Sequence, residues 1–132
     1  MDAVKIITSI DVPQNRIEDL LCCAFEGGSD YWAKTGVTAE QKKAVGAEYA
    51  FEVATRGGEI EVFDVENGEL LGVLNALTIA NAFVWMSQGE DKNGKAMPCL
   101  KRYLQTFLKE DEDSEVGDVF LQMAVMGEIV FG

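Results

Sequence analysis

The segment Phe25 to Trp32 reads FEGGSDYW, a double glycine set between an amphipathic stretch and a Tyr-Trp pair. Upstream, Ile17, Leu20, Leu21, Ala24 and Phe25 fall at i, i+3, i+4, i+7 and i+8, the spacing of one apolar helix face. Gly27 and Gly28 end that helix, because glycine takes the left-handed conformation cheaply and lets a following apolar residue pack back on the last turn. Two readings of the motif stay open. In one, Tyr31 and Trp32 cover the core beyond a helix C-cap. In the other, backbone N–H groups at Gly27, Gly28 and Ser29, with Asp30 alongside and an aromatic wall at Tyr31 or Trp32, cradle an anion or a planar ligand. The second reading lacks the helix dipole that phosphate loops use, since this is a helix C-terminus.

A chain of 132 residues, 48% hydrophobic, supports one core and a single domain spanning residues 1–132. Residues 3–10 (AVKIITSI) are β-branched and predict an opening strand. Asp11, followed by Pro13 and Gln14, has the pattern of a helix N-cap, and Thr38 that of a cap for a short helix over 38–45. Tyr49, Phe51 and Val53 alternate with Ala50, Glu52 and Ala54, which predicts a strand. Gly57-Gly58 then turns the chain into a second strand with Ile60 and Val62 inward, and Asn67-Gly68 into a third. The alternation slips at Val62-Phe63, as at a bulge. Asn75 caps a helix that is apolar nearly all round to residue 86 and is therefore expected at the centre. Pro98 opens a helix carrying Leu100, Tyr103, Leu104 and Phe107 on one face. Val116, Val119, Phe120 and Met123 mark the last helix, ended by Gly127. The expected fold is α+β, an antiparallel sheet of three to four strands packed on one side by about four helices.

Catalytic chemistry is hard to place in this composition. With no histidine, nucleophilic catalysis lacks its usual base, and Cys22, Cys23 and Cys99 have neither disulfide-framework nor zinc spacing. Reduced, buried thiols are expected. The acidic run Glu110 to Glu115 lacks the glycine and glutamate of a calcium loop, with Val116 and Gln122 at those positions from Asp111, so a solvated connection is expected. No metal, no cofactor and no enzymatic activity are anticipated.

The formal charge is -12, spread along the chain. Residues 1–56 hold nine acids and six bases, residues 57–97 seven and two, and residues 98–132 seven and three. Phosphate binding needs clustered cations, so direct contact with nucleic acid or an anionic membrane is disfavoured. No apolar run approaches the ~20 residues of a membrane span, and the first residues lack a basic leader, so a cytoplasmic location is expected. Glu59, Glu61, Glu66 and Glu69 lie on or beside the predicted meander. Alternate strand residues are about 6.6 Å apart. Such a row of carboxylates fits a basic groove that ordinarily holds a nucleic-acid backbone; a merely solvated sheet face has the same pattern. A basic protein partner is the first expectation and a small ligand or nucleotide at Gly27 to Trp32 the alternative, with self-association left open.

FEGGSDYW (25–32) and AVMGEIVFG (124–132), with Asp118 upstream in the same helix, resemble small proteins encoded by bacteriophages, prophages and integrated elements. The resemblance covers both ends of the chain and carries over no catalytic residue. It implies a bacterial host cytoplasm and an accessory role, such as binding and inhibiting a host defence factor.

Overall fold

A computed structural model describes every residue except Met1, Asp2, Lys5 and Thr8. Pro13, extended at φ -62° and ψ 149°, starts α1 (Gln14–Cys23) by offering its carbonyl to the N–H groups of Arg16 and Ile17. Asp11 is therefore not the N-cap, and no side chain caps this end. The helix runs into a π-helical turn, Ala24–Gly28, in which Gly27 sits at φ +142°. The double glycine is thus a widened last turn rather than a simple left-handed stop. Gly28 has a separate reason to lack a side chain: a Cβ there would stand 2.4 Å from the Ser114 carbonyl oxygen.

Three strands follow from two separate parts of the chain. β1 (Ala33–Thr35) comes directly after the Tyr-Trp pair and is followed by α2 (Ala39–Val45), with the expected Thr38 cap, here completed as a capping box by Gln41, and α3 (Glu52–Thr55). β2 (Ile60–Asp64) and β3 (Leu70–Leu74) form the hairpin, and the antiparallel order is β1-β2-β3 with a register shift between Val62 and Phe63. That shift is the expected bulge.

Residues 49–54 are not a strand. The Glu52 carboxylate accepts the N–H groups of Glu48 and Tyr49 at 3.0 and 2.7 Å and meets Arg56 one turn later at 2.5 Å. These local bonds favour a helical turn, from which Phe51, Val53 and Ala54 still reach the core. Backbone donors hold the Glu52 carboxyl below its ordinary pKa. Of the expected opening strand, residues 5 and 8 lie outside the described residues. Ala3, Val4, Ile6, Ile7, Ser9 and Ile10 are in no strand, and Val4, Ile6, Ile7 and Ile10 are 64–84% exposed. β-Branched sequence expresses its preference only where a sheet edge receives it.

α4 (Ala76–Gln88), α5 (Cys99–Leu108) and α6 (Ser114–Met126) complete the chain. α6, not α4, is central: every residue from Val116 to Val125 is buried. It packs against the π turn, α1, α4, α5 and β3. α4 buries Ile79, Ala82 and Met86 and leaves Leu77 and Val84 in the open. Close approach is possible because Gly72, like Gly28, faces α6 and Gly117 lies in it. A Cβ on Gly72 would come within 2.3 Å of the Val125 carbonyl oxygen, and one on Gly117 within 2.7 Å of the Ala24 nitrogen and Cys23 Cβ.

Among the described residues, no helix is long and apolar enough to cross a membrane. The acidic connection before α6 is only partly solvated. Arg16 bonds the Glu112 carboxylate and the Phe107 carbonyl oxygen, stacks over the Phe107 ring and is raised in pKa chiefly by Glu112. Asp113 accepts the Val116 N–H at 3.0 Å as the α6 N-cap.

Gly28→Ala and Gly72→Ala are each expected to destabilise the fold by about 1–3 kcal/mol or more, because the clash is with backbone that cannot rotate away. Gly36→Ala, whose added Cβ would meet only the Phe63 ring at an ordinary 3.8 Å, serves as the control and should be nearly neutral. Urea denaturation of the three variants measures the difference.

Candidate functional site

An apolar helix that is buried on all sides must either exclude polar residues or satisfy them internally. α6 carries Asp118 and Gln122 one turn apart, and both side chains are satisfied by the two motifs at the ends of the chain. Asp118 Oδ1 accepts from Ser29 Oγ at 2.8 Å and Trp32 Nε1 at 2.6 Å. Its Oδ2 accepts from Tyr31 OH at 2.6 Å and Gln122 Nε2 at 3.3 Å. Gln122 Oε1 in turn accepts the N–H groups of Val130 and Phe131, both at 2.9 Å, and Nε2 donates to the Phe131 carbonyl oxygen at 3.1 Å. The Phe131 ring then stacks on Trp32, with centroids 5.2 Å apart and planes 11° from parallel.

The π turn explains why Ser29, Tyr31 and Trp32 all reach one carboxylate. Ser29 N–H closes on the Ala24 carbonyl oxygen, and the Ser29 carbonyl receives Trp32 N–H and Ala33 N–H, so residues 29–33 form a tight corner facing α6. Trp32 is 1% exposed. Burying a ring of that size removes on the order of 150–250 Å² from water, at most roughly 4–6 kcal/mol of stabilisation. Tyr31 leaves its ring half exposed while its hydroxyl points inward. Burial first, and the Asp118 carboxylate second, push the phenol pKa up to about 12.

A cleft of about 390 Å³ opens beside this network, lined in part by Gly28, Tyr31, Tyr103, Glu115, Asp118 and Gln122. Tyr103 OH donates to Glu115 Oε1 at 2.7 Å, and that bond, followed by burial, raises its pKa. Both phenols at the cleft thus already donate to carboxylates. No lysine or arginine lines it, and four donors occupy Asp118. The groups that line the cleft offer hydrogen-bond recognition.

The six residues of the proposed ligand loop are not brought to one concavity. Gly28 and Tyr31 line the cleft, Ser29 and Asp30 border a separate hollow of about 180 Å³, Gly27 is exposed on the turn, and Trp32 is in the core. The hairpin glutamates have a different disposition. Glu61 points away from buried Ile60 and Val62, Glu66 and Glu69 lie in the β2–β3 turn, and Glu59 accepts Asn75 Nδ2 at 2.9 Å before α4. Asp64 and Asn67 side chains accept the Glu66 and Glu69 N–H groups and fix the turn. All four glutamates are exposed, and none forms an ion pair among the described residues. From Gly57 to Asp91 the sequence contains no lysine or arginine, so nothing within this segment offsets their field.

Sequence reasoning tied Asp118 only to the family resemblance and Gln122 only to the rejected calcium loop, and it set Glu52 on a strand of the acidic meander where the structure has a helical turn. The signal for the first two was present as a polar pair at i and i+4 on an otherwise apolar helix. Cys22, Cys23 and Cys99 are free and half-buried, and burial raises the thiol pKa of the first two. No group of three metal-ligating side chains occurs among the described residues.

Asp118→Ala is expected to cost about 3–5 kcal/mol, since it strands the buried Ser29 hydroxyl and Trp32 N–H at roughly 1–3 kcal/mol each and opens a cavity. A loss under about 1 kcal/mol in thermal or urea unfolding would refute the network's structural role. Tyr31 gives a pH signature. Its folded pKa lies above the ordinary value of 10.0, so its stabilisation is complete below pH 10 and is lost as pH rises through about 12. Tyr31→Phe should remove that alkaline component, as read from Tm between pH 9 and 12. Comparison of the chain with family models, curated proteins and solved structures gave no match.

Proposed function

We propose that this chain works by binding rather than by chemistry, as an accessory protein of a phage or integrated element that captures a basic host protein in the bacterial cytoplasm. The partner class is a nucleic-acid-binding or defence factor whose cationic groove the acidic hairpin enters. The observation that carries this reading is the hairpin itself: Glu59, Glu61, Glu66 and Glu69 are exposed, unpaired with any cation among the described residues, and set in a 35-residue stretch, residues 57–91, without lysine or arginine. Uncompensated carboxylates on a rigid hairpin cost stability through mutual repulsion, and a basic partner supplies a reason to retain them. The likeness of FEGGSDYW and AVMGEIVFG to phage-encoded proteins supports the same setting.

Affinity capture from a bacterial host lysate, with nuclease treatment, should retain a basic nucleic-acid-binding protein at low salt and release it at high salt. Glu66→Lys/Glu69→Lys should weaken that binding about tenfold or more without lowering Tm, because both residues sit in an exposed turn and the reversal relieves their mutual repulsion. Equal binding by the reversed variant would rule out the acidic hairpin as the contact.

A second reading rests on the cleft beside Tyr31, which has the volume for a small ligand such as a nucleotide. A ligand-dependent rise in Tm that Tyr31→Phe reduces would favour it; no rise across a nucleotide and metabolite panel would remove it.

A further inference from the structure

The cleft of about 390 Å³ joins two aromatic rings, Tyr31 and Tyr103, to two carboxylates, exposed Glu115 and buried Asp118. What a ligand meets there is set by the groups that are still free. Tyr31 OH donates to Asp118, Tyr103 OH to Glu115, and Gln122 Nε2 to Asp118 and the Phe131 carbonyl oxygen, so these donors are spent. Of the side-chain donors lining the cleft, the Ser114 hydroxyl and the Cys99 thiol are left, and each also accepts. Acceptor capacity is in better supply. Glu115 gives Oε1 to Tyr103, while its Oε2 has no donor among the described residues.

The charge has the sign that the free acceptors call for. Neither Glu115 nor Asp118 forms an ion pair among the described residues, and no lysine or arginine lines the cleft. The positive end of the α6 dipole is already met by the Asp113 cap and by Glu115 in the first turn. Arg102, which is exposed and outside the lining, lies over the Tyr103 ring at 5.3 Å, so one of the two rings already holds a guanidinium from the outer surface. A phosphate entering the cleft would face two carboxylates and few donors. A cation would find opposite charge, a free carboxylate oxygen and aromatic walls.

We infer that the cleft binds a donor-rich organic cation, a guanidinium or primary ammonium group, held by Glu115 Oε2 and the field of Asp118 against Tyr31 and Tyr103. The inference rests on the reading of the cleft as a ligand site, and it gives the ligand the charge opposite to a nucleotide's. Two sources carry such a group. One is a free amine; the other is a basic side chain of the host protein at the hairpin, whose turn is tied to this corner by the Val65 N–H bond to the Trp32 carbonyl oxygen at 2.9 Å.

Titration of the full chain with agmatine, with AMP as the anionic counterpart, tests the site through Tm and the NMR shifts of the Tyr31 and Tyr103 ring protons. Agmatine should give a saturable change below about 10 mM that high salt suppresses, and AMP none. Glu115→Gln keeps an oxygen for Tyr103 and should weaken agmatine about tenfold with the fold intact by circular dichroism. Glu40→Gln, which removes the same charge from α2, should bind like the parent. No agmatine response by about 10 mM, or equal binding by Glu115→Gln, would overturn the cation site. A response to AMP alone would overturn it while keeping the cleft as a ligand site, and no response to either would remove both readings. Where agmatine binds, loss of host-protein capture in Glu115→Gln but not Glu40→Gln assigns the cation to the partner's side chain, and unchanged capture assigns it to a free amine.

Discussion

The Asp118 carboxylate is the point on which the rest of the structure turns. It is a buried acid with no cation beside it among the described residues, and it is tolerated because hydroxyl, indole, phenol and amide donors surround it. Those donors come from the corner after the π turn and from Gln122, and Gln122 in turn fixes the backbone at Val130 and Phe131. One helix therefore fastens two segments that are about a hundred residues apart in sequence. Gly28 and Gly117 belong to the same device, since each removes a side chain where the corner and α6 meet. The acid, the glycines and the aromatic stack are parts of one requirement, that the corner come close to α6.

The chain spends its many carboxylates in two ways. Asp118, Glu52 and Glu112 are turned inward, where backbone N–H groups, hydroxyls or an arginine satisfy them and where they act as fasteners between segments. Arg16 and Arg56 are consumed in that work, which lowers the supply of cations on the surface. The hairpin glutamates face water with no cation opposite them among the described residues. The inward acids account for local geometry; of the four outward carboxylates that of Glu59 alone bonds another side chain among the described residues, that of Asn75, and this separation is what makes the hairpin a candidate for recognition rather than for folding.

Much of the architecture was legible in sequence where a cap or a turn announced it. Thr38, Asn75, Gly68 and Gly127 act at the positions their chemistry indicates, and the bulge at Val62-Phe63 shows in the broken alternation. Errors arose where a local bond overrode a pattern. Tyr49, Phe51 and Val53 alternate like a strand, but Glu52 finds two N–H groups and Arg56 within one turn and bends the segment. α4 looked central by hydropathy because hydropathy does not say how many sides are covered, whereas α6 looked amphipathic because Val116, Val119, Phe120 and Met123 fall on one face and its polar residues Asp118 and Gln122 gave no sign of internal partners. Partner identity was not legible because carboxylates on a solvated hairpin and carboxylates awaiting a basic groove are the same residues. Tyr31 and Trp32 divided between the two readings of their motif: one ring is in the core, the other borders the cleft.

Native-state hydrogen exchange tests the central claim most directly, because it reads the network bond by bond. The amides of Val130 and Phe131 and the indole N–H of Trp32 should exchange as slowly as the amides of α6, and should accelerate together in Gln122→Ala, which breaks the bonds to Val130 and Phe131 and, on the corner side, only the long contacts to Asp118 Oδ2 and Tyr31 OH, leaving the Trp32 indole bond to Asp118 in place. Rapid exchange of Val130 and Phe131 in the wild-type chain, or acceleration confined to those two amides in the variant, would show that the two motifs are not fastened as a unit through α6.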